Sequence, residues 1–73
     1  MPDSTYKIIE LVGSSEIGWE DAVKNAVSTA AETLKDIRIC EVVKLDTKIE
    51  NGAIVAYRAR VQLSFKYMKG MDD

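Results

Sequence analysis

IRICEVVKLDTKIENGAIVAYRARVQLSFK, residues 37–66, decides the fold. Near its middle stands Glu50-Asn51-Gly52, and Asn-Gly is the strongest short-range hairpin signal because both residues accept positive φ. Before the turn the chain alternates with period two. Ile37, Ile39, Glu41, Val43, Leu45, Thr47 and Ile49 point one way, and Arg38, Cys40, Val42, Lys44, Asp46 and Lys48 the other. After the turn Ala53, Val55, Tyr57, Ala59, Val61, Leu63, Phe65 and Tyr67 make one apolar face. Ala56, Arg58, Arg60, Gln62, Ser64 and Lys66 make a largely polar one. The spacing predicts two long antiparallel strands joined by a tight turn.

Upstream, Tyr6 to Val12 (YKIIELV) is rich in β-formers and runs into Gly13-Ser14-Ser15, which predicts a shorter strand ending in a turn. From Trp19 the period changes. Trp19, Val23, Ala26, Val27, Ala30 and Leu34 recur at three and four residues, the apolar face of a helix of roughly 17 residues. Glu20 and Asp21 fall in its first turn and Lys35 in its last, as a helix dipole favours. Ser14, Ser15 and Gly18 are its candidate caps, and Lys24, Ser28 and Glu32 should meet solvent. The order is strand, helix, long strand, long strand, an α+β arrangement. No linker or repeat interrupts it, so one domain spans 1–73, with an ordered core of about 5–68 and a frayed tail from about Lys69.

Length makes an argument for assembly. Hairpin strands of about 13 residues extend about 43 Å. A compact chain of this size has a radius of gyration of only about 11 Å. The helix reaches about 25 Å and cannot shield the whole apolar face. The first strand is too short to pair along the full hairpin. Uncovered apolar surface and open strand edges recruit other chains, so this chain should complete its core with copies of itself. The alternative is a bulge that folds the hairpin back onto its own helix, and the alternation shows none.

Composition narrows the function classes. Of 73 residues, 47% are hydrophobic and 30% charged, with 10 basic and 12 acidic side chains, a net charge of −2 and no histidine. That balance argues against a nucleic-acid or anionic-membrane binder working by bulk charge. No apolar run approaches the roughly 18 residues of a membrane span, and Met-Pro-Asp-Ser-Thr is not a secretory signal. A single cysteine excludes an internal disulfide framework and fits a reducing, cytoplasmic location.

Catalytic groups are scarce. Cys40 has no histidine to activate it and reads as a small packed side chain. Trp19, on the helix's apolar face, reads as core rather than as a stacking platform. Gly13-Ser14-Ser15 lacks the spacing of a phosphate loop, and Asp46, Glu50 and Asn51 match no calcium-loop spacing. The expectation is no enzyme and no dedicated metal site. Arg58, Arg60 and Lys66 are more informative, since they share one strand face. Surface charge explains them most simply, with Glu41 as a candidate ion-pair partner for an arginine of its own or another subunit, depending on register. In an oligomer the same face would line a cavity where guanidinium groups hold phosphate or carboxylate bidentately.

YKIIELVGSSEIGWEDAVKNAV, IRICEVV and IENGAIVAYRARVQLSFK together resemble the dodecin family, over roughly Tyr6 to Lys66. The resemblance implies a strand–helix–strand–strand subunit whose three-stranded antiparallel sheet wraps partly round one helix. It also implies a hollow homododecamer of twelve subunits. Dodecins bind flavins (riboflavin, FMN or FAD) and are regarded as storage proteins, not catalysts, so the implied function is non-enzymatic small-ligand binding and storage. The family's flavin-stacking tryptophan corresponds to Ile39, which offers apolar contact without a π-face. The glutamine that bonds the flavin edge corresponds to Arg58, which donates but cannot accept. The basic residue near the phosphate contacts is kept as Lys66. The implied ligand site is therefore Ile39, Arg58 and Lys66 from neighbouring subunits. The combination of aliphatic residue and arginine also resembles a subgroup with a calcium-binding member. The alternative function is accordingly a shell without flavin, in a structural or calcium-binding role.

Overall fold

The computed structural model describes residues 5–67, with the Tyr67 side chain excepted. The tail expected from about Lys69 lies outside the described residues. Four elements follow in order: β1 (Thr5–Ser15), α1 (Trp19–Ala31), β2 (Ile37–Glu50) and β3 (Ala53–Tyr67). The strands form one sheet in the order β1-β3-β2, and both pairings are antiparallel. Asn51 and Gly52 close the hairpin at φ of 53° and 77°, the positive pair that a tight two-residue turn requires.

β1 is longer than its composition suggests. Gly13 lies inside the strand, opposite Ala59, and the chain stays extended to Ser15. A Cβ at Gly13 would collide with the Ala22 carbonyl oxygen and lie 2.8 Å from the Ala26 Cβ. The glycine therefore serves a close strand–helix approach and not a turn. α1 is shorter than the period suggests and ends at Ala31, so Lys35 lies beyond it. Its exit tightens as the amides of Glu32 and Thr33 donate to carbonyls three residues back, Thr29 and Ala30. Lys24, Ser28 and Glu32 are exposed as expected.

The centre of the helix's buried face is Ala22, Ala26 and Ala30, packed on Ala59, Val61 and Leu63. Val23, Val27 and Leu34 flank that row, and Trp19 sits at its rim, 40% exposed. Short alanine side chains let α1 settle close to the sheet, which pushes the larger residues to the sides.

Strict alternation along β2 does not survive. Its register against β3 shifts between Ile37 and Ile39, between Val42 and Lys44, and between Lys48 and Ile49. The first two slips each insert a residue in β2, Arg38 and Val43, and move the side chains beyond it to the other face. Cys40 and Val42, opposite Leu63 and Val61, thus join Leu45 and Thr47 on the helix side. Ile39 and Glu41, opposite Ser64 and Gln62, join Lys44 and Asp46 on the outer side. The bulges do not fold the hairpin back. The molecule measures 53 × 20 × 16 Å with a radius of gyration of 14.9 Å, well above the compact value of about 11 Å. β1 pairs with β3 only from Tyr57 onward, leaving Ala53–Ala56 of β3 without it.

Candidate functional site

The outer face of the sheet carries the polar chemistry, and register decides which groups meet there. Counting back from the two-residue turn, Ile49 pairs with Ile54, but Lys48 pairs with Ala56, so β3 gains one residue at Val55. Without that slip Arg58 would face Leu45; with it, Arg58 faces Asp46. The two form a fork, Arg58 Nε donating to Asp46 Oδ1 at 2.7 Å and Nη2 to Oδ2 at 2.9 Å. This is the bidentate geometry in which guanidinium and carboxylate match best. The hydrogen bond from Arg58 holds the Asp46 carboxyl below its ordinary pKa, helped by the positive charges of Arg58, Arg60 and Lys44. The carboxylate in turn holds the guanidinium above its ordinary value. Within the chain Glu41 lies opposite Gln62, so it is Asp46 that takes Arg58.

Asp46 is fixed from its backbone as well. Its carbonyl accepts a hydrogen bond from the Trp19 indole Nε1 at 3.0 Å. Trp19 meets Tyr57 edge-on, with ring centroids 5.1 Å apart. Trp19 is therefore a clasp between the start of α1 and the β2 edge, and not simply a core residue.

Ile39, Arg58 and Lys66 share the outer face, but one chain does not bring them together. Ile39 pairs with Ser64, next to Lys66 on that face, whereas Arg58 lies six residues further along β3, about 20 Å away. Ile39 is 59% exposed.

The other sequence candidates resolve simply. Ser15 Oγ accepts hydrogen bonds from the amides of Ile17 (2.9 Å) and Gly18 (3.4 Å) and donates to Asp21 Oδ2 (2.7 Å). The amides ahead of α1 are thus occupied, beside an acidic group that repels anions. Cys40 is half-buried, and burial pushes its thiol pKa up, away from reactivity. Glu50 reaches Lys48 at 3.5 Å while Asp46 is held by Arg58, so the hairpin oxygens do not converge. Among the described residues no three acidic or thiol groups cluster closely enough to hold a metal, and no helix is long and apolar enough to cross a membrane.

A helix laid on part of a three-stranded antiparallel sheet, with a hairpin running past it and charges on the open face, defines a small α+β fold. The chain belongs to the dodecin family, whose model matches residues 5–68. It is 35% identical over 63 residues to the calcium dodecin of Mycobacterium tuberculosis, covering 86% of this chain and 89% of that one. It is 33% identical over 61 residues to the dodecin of Thermus thermophilus, covering 84% and 88%. Among solved structures, dodecin from Streptomyces coelicolor superposes with a TM-score of 0.87 at 34% identity, covering 93% of this chain and 97% of that one. The calcium-chelating M. tuberculosis protein, whose structure contains a calcium-binding site, superposes with a TM-score of 0.80 at 35% identity and the same coverage. The strand–helix–strand–strand fold expected from the resemblance is the one observed.

Proposed function

We propose that this protein is a non-enzymatic, cytoplasmic small-ligand-binding and storage protein, the subunit of a homododecameric shell. Its ligand is a flavin, or another anionic nucleotide-type cofactor, held by Ile39, Arg58 and Lys66 contributed by neighbouring subunits. The observation that carries this reading is the open sheet: the hairpin runs past α1 with its apolar side chains in solvent. The basic outer face stays accessible, and a partner subunit would bring its separated ends together. Light scattering should report a particle about twelve times the chain mass. A folded particle of single-chain mass would end this reading. Ile39→Trp restores a π-face and should confer or strengthen riboflavin and FMN binding, followed by quenching of flavin fluorescence. No gain would mean that the ligand site lies elsewhere.

A second reading, a shell without flavin that binds calcium or is purely structural, is favoured by the Arg58–Asp46 fork, which occupies the arginine within its own chain. The similarity to calcium dodecin points the same way. A specific ion raises the melting temperature by mass action. A melting point raised by calcium and unmoved by flavin would select this reading.

A further inference from the structure

We propose that Tyr6 belongs to the ligand site, where its hydroxyl and the Lys66 ammonium together hold the phosphate of the ligand. The inference rests on the reading that Ile39 and Lys66 face an anionic cofactor. Tyr6 lies opposite Lys66 in the β1–β3 register, so the two side chains leave the outer face as cross-strand neighbours, with Cβ atoms about 5 Å apart. The next rung toward the turn, about 7 Å along β3, is Ile8, Ser64 and Ile39. Ile8 and Ile39 are each 59% exposed and Tyr6 is 48% exposed. An apolar floor thus ends at a phenol and an ammonium.

Both polar tips are available. Among the described residues neither the Tyr6 hydroxyl nor the Lys66 ammonium has a hydrogen-bond or ion-pair partner. Each can donate to a phosphate oxygen, and a donor to an anion makes a strong hydrogen bond. Lys66 is steadied from its backbone, whose amide donates to the Asp36 carbonyl at 3.2 Å. On the other side of the Ile39 rung, Glu10 and Glu41 flank Gln62. Those two carboxylates repel a phosphate from that direction. A ligand with an apolar ring and an anionic tail therefore lays its ring on Ile8 and Ile39 and turns its phosphate toward Tyr6 and Lys66.

The experiment is run in the Ile39→Trp background, which supplies a flavin signal, by titrating riboflavin and FMN with and without Tyr6→Phe. The substitution removes the hydroxyl and keeps the ring, so the strand and its packing are preserved. FMN, which carries the phosphate, should lose about tenfold in affinity, the size of one hydrogen bond to a charged group, and riboflavin less than about twofold. An FMN affinity unmoved by Tyr6→Phe, or an equal loss for both flavins, overturns the inference and leaves the flavin reading standing. If Ile39→Trp takes up neither flavin, the flavin site is misplaced, and melting curves with sodium pyrophosphate decide the role of Tyr6. Pyrophosphate should then raise the melting temperature of the parent more than that of Tyr6→Phe. An equal response in the two, or none in either, overturns the inference.

Discussion

The two ends of the hairpin are made of the same residue types and finish in opposite environments. Far from the turn, Ala59, Val61 and Leu63 are fully buried beneath Ala22, Ala26 and Ala30. Near the turn, Leu45, Ile49 and Ile54 are 50%, 61% and 53% exposed. Hydrophobicity does not separate the ends; reach does. α1 has 13 residues, about 20 Å of helix, against a molecule 53 Å long. An alternating pattern names a face of a strand, but burial needs something to lie on that face.

Substitutions at the two ends should therefore fail differently. Leu63→Ala, in the covered end, should cost about 2–5 kcal/mol in denaturant unfolding. A cost under about 1 kcal/mol would mean that the helix packs loosely there. Gly13→Ala forces a methyl group against the Ala22 carbonyl and Ala26, and should cost about 1–3 kcal/mol with a matching fall in melting temperature. At the bare end, Ile49→Ser combined with Ile54→Ser should change the stability of the isolated fold by less than about 0.5 kcal/mol each. The same pair should lower the particle mass seen by light scattering, and an unchanged mass would show that sister chains do not meet there. The smallest effect belongs to Asp46→Asn. The folded-state pKa of Asp46 is depressed, so its contribution is present above the ordinary carboxylate value of about 3.9 and fades as pH falls through the lower folded value. Both groups of the pair are half exposed, so the melting-temperature difference from the parent should be slight at pH 7 and vanish in acid. A difference that grew in acid would refute the assigned sign.

Much of this fold was legible from residue order alone. Asn51-Gly52 located the turn, the three-and-four spacing located the helix, and the hairpin's length implied a surface that one helix could not cover. The errors share a cause. Gly13 looked like a turn because its neighbour across space, Ala22, is invisible to local composition. The helix face was centred on its larger residues, whereas close packing favoured the smaller Ala22. The candidate site was less legible still. That Arg58 faces Asp46 and not Leu45 depends on a one-residue slip at Val55, and no residue near it announces a bulge.

Local backbone preferences and side-chain periodicity act over a few residues, and they were enough to determine which elements form, their order and the apolar excess of the hairpin. Tertiary packing decided the rest. Where α1 stops, how closely it approaches β1, which way Ile39 faces and which acid holds Arg58 all depend on register and on atoms far apart in the chain. A single inserted residue in a ladder reverses a whole face, and only the assembled sheet shows where that happens.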